Sequence, residues 1–154
     1  MSPGVEHQLA QFNIARLAHP LDAPESAEFV AALEPVNAIA ESTPGFVWRL
    51  KDDDGASSSY VEIPGNDDPL LIINYSIWED VESLKHFMYK SGHMAYLRRR
   101  GEWFEKLDRP TSVAWWIPAG SIPDVGVAFQ KVVELQENGP TESAFTVSRP
   151  WPAP

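Results

Sequence analysis

LLIINYSIWEDVESLKHFMYKSGHMAYLRRRGEWFEKL, residues 70–107, changes backbone period part-way along. Over 70–78 the period is two. Leu71, Ile73, Tyr75 and Ile77 share one face, and Asn74, Ser76 and Trp78 share the other with Leu70 and Ile72. That alternation marks a strand. After Glu79-Asp80 the spacing turns helical, with Leu84, Phe87, Met88 and Ser91 in one stripe. The stripe loses phase at Ser91-Gly92, and glycine is costly inside a helix, so a break or bend is expected there. A second stripe runs through His93, Tyr96 or Leu97, Arg100, Phe104 and Leu107 until Asp108-Arg109-Pro110 stops it.

The same reading extends to both sides. From His7, residues Leu9, Gln11 and Asn13 alternate with Ala10, Phe12 and Ile14, which predicts a half-buried first strand leaving through a loop at Arg16–Pro20. A helix over 25–42 follows, with Asp22 as a possible cap, Pro24 near the first turn and a kink at the internal Pro35. Phe46–Leu50 predicts a second strand, with Phe46, Trp48 and Leu50 opposed to Val47 and Arg49. Residues 51–69, rich in Asp, Ser, Gly and Asn, predict a long turn with a strand extension at 60–63. Thr111–Pro118 predicts a fourth strand, and 123–138 a helix stopped by Gly139-Pro140. A short extended piece at 143–147 precedes an irregular, Pro-rich tail at 146–154. The order β, α, β, β, α, β plus an appended helix is that of a ferredoxin-like α+β domain. It implies one domain over 1–154, with its core at about 7–145, a four-stranded antiparallel sheet and helices on one face. A second copy of the chain is the simplest cover for the other face.

Composition narrows the function classes. The chain has 154 residues, no cysteine and a net charge of −10. Disulfides, thiolate metal sites and a cysteine nucleophile are therefore excluded. The acidic balance argues against nucleic-acid partners, and no apolar run reaches membrane-spanning length. No basic flank precedes a long apolar run near the N-terminus, so a cytoplasmic location is the expectation. Residues 85–109 nevertheless carry seven of the twelve Lys and Arg residues. They form either a solvated helix face or an anion site. No GxGxxG, GxxxxGK[ST] or GxSxG motif occurs, so nucleotide-binding and serine-hydrolase chemistry have no support.

Four stretches, LAQFNIARL (9–17), FVAALEPVNAIAESTPGFVWRL (29–50), INYSIWEDVESLKHFMYKSGHMAYLRRRGEWFEKL (73–107) and AWWIPAG (114–120), resemble the DUF3291 family. Through it the chain is similar to the antibiotic-biosynthesis monooxygenase-like group of the dimeric α/β-barrel superfamily. The resemblance implies a homodimer whose subunits each hold a pocket between sheet and helices for planar, often aromatic molecules. Relatives of that kind include cofactor-free monooxygenases, polyketide cyclases and haem-binding enzymes. Members of the family often carry a histidine after the glycine of AWWIPAG, where this chain has Ser121.

Within that frame, His93 is the candidate base, since imidazole exchanges protons near neutral pH. Tyr96, three residues on, shares its helical face and is the candidate partner. Each could equally hold the bend or pack. Consecutive arginines point about 100° apart, so only Arg100 of Arg98–Arg100 shares the His93 side. It is a candidate for a carbonyl or carboxylate, as are Asn13 and Asn74. Trp48, Trp78, Trp103 and Trp116 are candidate flat walls for an aromatic substrate, or else core and interface. His86 and His93 have no metal-binding spacing, and His7 and His19 read as surface residues. The first expectation is therefore a cofactor-independent enzyme, a monooxygenase or a cyclase/isomerase, acting on an aromatic or polyketide-like molecule. The alternatives are a haem protein with His93 or His86 as axial ligand, and a non-catalytic small-molecule-binding dimer.

Overall fold

The structure is a computed structural model that describes residues 6–51, 68, 70–90, 100–106 and 109–154. The expected break at Ser91-Gly92, the strand extension at 60–63, and His93 and Tyr96 lie outside the described residues. Strand β1 (His7–Arg16) leads through a 3-10 turn at Pro24–Ser26 into helix α1 (Ala27–Ser42). Strands β2 (Phe46–Arg49) and β3 (Leu71–Trp78) follow. Helix α2 (Val81–Lys85) continues as a π-helical turn, His86–Lys90. Then come the short helix α3 (Arg100–Trp103), strand β4 (Ser112–Pro118) and helix α4 (Val125–Asn138). The strands form one antiparallel sheet in the order β2-β3-β1-β4, the ferredoxin-like arrangement.

Three local readings change. Asp22 does not cap α1: Ala23 precedes the 3-10 turn, with Pro24 at its start, and α1 is the single helix expected, with Pro35 inside it. Strand β1 continues to Arg16 instead of entering a loop there. In β2 a bulge shifts the register between Phe46, opposite Trp78, and Trp48, opposite Ile77. An extra residue in one strand flips the faces beyond it. Phe46 therefore packs edge-on against Trp78, while Trp48 packs edge-on against Tyr75 on the opposite side of the sheet.

The two sheet faces have different covers. Ala10, Phe12, Ile73, Tyr75, Ile77, Val113 and Trp115 face Ala128, Val132 and Leu135 of α4. The appended helix thus takes much of the face expected to await a second chain, leaving Trp48, Leu50 and Leu71 only half-buried beside it. Asp124 caps α4 by accepting a hydrogen bond from the Val127 amide at 2.9 Å. The Tyr75 hydroxyl, buried in this layer, donates to the Pro123 carbonyl at 2.7 Å, and burial raises its pKa. The other face carries Leu9, Trp78 and Ala114 against Ala40, Leu84 and Phe145. Phe145 exchanges two backbone hydrogen bonds with Ala114 on the free edge of β4, at 2.7 and 2.9 Å. The Trp116 indole donates to the Trp151 carbonyl at 2.8 Å, which draws the Pro-rich tail over the same edge.

Two junctions hold the helices in place. Gly45, at φ +90°, turns the chain from α1 into β2, and its carbonyl accepts from the Glu79 amide at 2.8 Å. A Cβ there would run into the Ser83 side chain at the start of α2. At the other junction, Arg16 donates to Asp68 at 2.8 Å and to Glu105 at 2.7 Å. The Leu70 amide, then Arg16, hold the Asp68 carboxyl below its ordinary pKa, while Glu105, then Asp68, raise that of Arg16. Backbone bonds from Ala18 to Trp103 and from Glu105 to Arg16, each 2.8 Å, fasten α3 to the end of β1.

Gly45→Ala is expected to cost about 2 kcal/mol or more, from left-handed backbone strain plus the Ser83 overlap. Gly120→Ala, also at positive φ but with open space around it, should cost roughly half that. Urea unfolding midpoints of the two variants check this, and equal losses would contradict the close-approach account. The Asp68 pKa is lowered in the folded state, so its stabilisation is full above the ordinary aspartate value and fades as pH falls through the lowered one. Thermal midpoints of the wild type should therefore drop more steeply with acid below about pH 4 than those of Asp68→Asn.

Candidate functional site

Where both periods meet, the fold leaves a cavity of about 840 Å³ between the sheet and α1, α2 and α3. Its floor follows from the alternation in β1 and β3. Residues that would be apolar in a sealed core are here Gln11, Asn13, Asn74 and Ser76, joined by Ser112 of β4. Antiparallel register sets Gln11 opposite Ser76, and Asn13 opposite both Asn74 and Ser112. The walls are mostly apolar: Phe29, Ala32, Leu33 and Val36 from α1, with the polar Asn37 beside them, Leu84, Phe87 and Met88 from α2 and its π-helical turn, and Trp103 and Phe104. Phe29 locks the last two, with ring centroids at 5.6 Å from Trp103 and 5.1 Å from Phe104. Arg100, Glu105 and Lys106, all exposed, are the ionisable residues of the lining among the described residues.

The floor is wired by hydrogen bonds. The Trp78 indole N–H donates to Ser76 Oγ at 2.9 Å, and Ser76 Oγ donates to Gln11 Oε1 at 3.4 Å. Gln11 Nε2 donates to Asn13 Oδ1 and to Ser112 Oγ, each at 3.1 Å. Gln11 and Ser76 are 8% exposed, so nearly all of this polarity is matched inside the protein, as buried polar groups require.

Of the residues singled out from the sequence, Asn13, Asn74, Arg100 and Trp103 meet on this cavity. Trp48 does not, because the β2 bulge turns it to the α4 side. Trp78 is fully buried one layer behind, stacked on Phe87 at 5.2 Å, and borders a separate void of about 40 Å³. Trp116 packs near the C-terminal segment instead. His86 is not part of the lining, and Ser121 is held in the turn after β4, where its hydroxyl donates to the Pro118 carbonyl at 2.8 Å. Gln11, Ser76 and Ser112 were not singled out as candidates. Their signal was present in the alternation, which put two polar residues in succession on one face of β1 and of β3.

The arrangement suits a flat, mostly apolar molecule that turns oxygen atoms toward the floor. Its volume lies in the range of small-molecule pockets. Among the described residues no three His, Asp or Glu side chains gather as metal ligands, and no helix is long and apolar enough to cross a membrane.

Solved structures with partial likeness include SnoaB, a cofactor-independent oxygenase from Streptomyces nogalater, at 15% identity and a TM-score of 0.48. That match covers 76% of this chain and 98% of SnoaB. PA3566 from Pseudomonas aeruginosa matches at 11% identity and a TM-score of 0.49, covering 77% of this chain and 100% of its own. A monooxygenase from the gene ActVA-Orf6 of Streptomyces coelicolor, in complex with nanaomycin D, matches at 17% identity and a TM-score of 0.44, over 77% and 94% of the two chains. No curated protein matches the chain. The family model of a domain of unknown function, DUF3291, matches residues 8–154, and the chain belongs to that family.

Proposed function

We propose that the chain is a cofactor-independent enzyme acting on an aromatic or polyketide-like small molecule, bound between the sheet and the helices. One observation carries this reading: a cavity of about 840 Å³ with aromatic and aliphatic walls over a polar floor. An apolar ring system fits the walls, and its carbonyl or hydroxyl oxygens fit Asn13, Asn74 and Ser112. Arg100 at the rim suits a carboxylate or a second oxygen.

In this reading His93 removes a proton from a substrate hydroxyl or from an activated carbon, and Tyr96 orients it. The resulting anion is electron-rich. It reacts with dioxygen in a monooxygenase, or attacks a carbonyl of the same molecule in a cyclase. The floor donors hold the oxygen on which the negative charge collects, and such stabilisation is often the largest contribution to rate. A second copy of the chain would cover the half-buried strip Trp48, Leu50 and Leu71 beside α4.

1-Naphthol is a suitable first probe, with binding followed by tryptophan fluorescence. Val36→Trp, which fills the apolar wall, should weaken binding at least tenfold while leaving the circular dichroism unchanged. Undiminished binding in that variant would place the ligand elsewhere. With 1,5-dihydroxynaphthalene and an oxygen electrode, His93→Ala should retain binding within about threefold yet slow oxygen uptake by roughly 100-fold or more. An unaltered rate would remove His93 from the role of base.

A further inference from the structure

Ser76, Gln11, Asn13 and Ser112 on the cavity floor are tied to one another, and the ties have a direction. An indole nitrogen donates and never accepts. The Trp78 N–H therefore fixes Ser76 Oγ as acceptor at 2.9 Å. Ser76 is left to donate its own hydrogen to Gln11 Oε1 at 3.4 Å. The Gln11 amide is placed with the same polarity. Its oxygen faces Ser76, and both hydrogens of its nitrogen are spent on Asn13 Oδ1 and Ser112 Oγ, each at 3.1 Å. Asn13 must then use its oxygen inward, which leaves the Nδ2 hydrogens. Ser112 must use a lone pair inward, which leaves its hydroxyl hydrogen. Both residues line the cavity, and the sheet register sets them side by side on β1 and β4.

We propose that Trp78, Ser76 and Gln11 form a one-way relay that makes Asn13 and Ser112 a paired hydrogen-bond donor, selecting ligands that present an anionic or acceptor oxygen there. The proposal rests on the small-molecule reading of the same cavity and adds its polarity. Gln11 and Ser76 are positioning residues in it, because they act through Asn13 and Ser112. A floor of this polarity favours the ionised form of a phenol or enol over the neutral form, which would have to spend its own hydrogen against donors. It also rejects ligands whose only polar group there is an amine or ammonium. Arg100 and Lys106 favour the same ionised form and Glu105 opposes it, so the relay shows as a difference between variants in which these three are kept.

4-Nitrophenol reports its own ionisation by colour. Its apparent pKa when bound should lie below its value in free solution in the wild type, and should return toward that value by at least half of the shift in Gln11→Met. Ser76→Ala should give a smaller return in the same direction. Gln11→Glu, which can only accept, should turn the Asn13 amide and the Ser112 hydroxyl inward and raise the bound pKa above that of Gln11→Met. An unshifted pKa in the wild type, or an equal shift in Gln11→Met, overturns the relay while leaving the cavity reading intact. Failure of 4-nitrophenol and 1-naphthol alike to bind overturns the cavity reading, and the relay with it. Circular dichroism and unfolding midpoints separate these outcomes from misfolding, and 4-nitroaniline, binding at least tenfold more weakly than 4-nitrophenol, is the expected control.

Discussion

Gln11 lies on β1, which has a hydrogen-bonded neighbour on each side, and its side chain points under the helices. A polar amide in that place is costly unless its oxygen and both hydrogens are matched. The matching groups come from three strands: Ser76 of β3, Asn13 of β1 itself and Ser112 of β4. The central amide therefore depends on the register of β1 against both β3 and β4, and a one-residue slip of β3 would bring Tyr75 or Ile77 to the place of Ser76. The helices complete the constraint from above. Among the described residues they surround it mainly with rings and aliphatic side chains, with Asn37 of α1 also in the lining.

The same constraint explains why the space stays open. A sheet face bearing Leu9, Trp78 and Ala114 at one end is sealed by Ala40, Leu84 and Phe145. At the other end the inward positions are amides and hydroxyls, which gain little from direct contact with Phe29 or Val36. The walls instead brace each other, Phe29 against Trp103 and Phe104, and Phe87 against Trp78. Arg16 anchors the outer rim, where its two carboxylate partners join the segments before β3 and after α3.

Much of this fold was legible in the sequence, because periods of two and of helical spacing alternate cleanly along it. The strands, their order and their faces follow from residues such as Ile73, Tyr75 and Ile77. The exception is β2, where four residues are too few for a bulge to show in a hydrophobic pattern, so Trp48 was grouped with Phe46 on the wrong face. The placement of α4 was also hidden: its apolar stripe says that it packs, and not against which side. For the site, Asn13, Asn74, Arg100 and Trp103 stood out as residue types with obvious chemistry. Gln11 and Ser76 did not, because their importance lies in which neighbours they meet across the sheet, and register is not written in any single stretch.

Phe145 gives the C-terminal segment a role in how copies of the chain can meet. A sheet edge with free amides and carbonyls invites a strand from another molecule. At the β4 edge, Ala114 spends both of its groups on Phe145, Pro118 has no amide hydrogen to offer, and the tail crosses alongside Trp116. The middle of that edge is thus occupied from within the chain, which disfavours growth of the sheet through β4. The residues after α4 thereby shield this edge against edge-to-edge pairing.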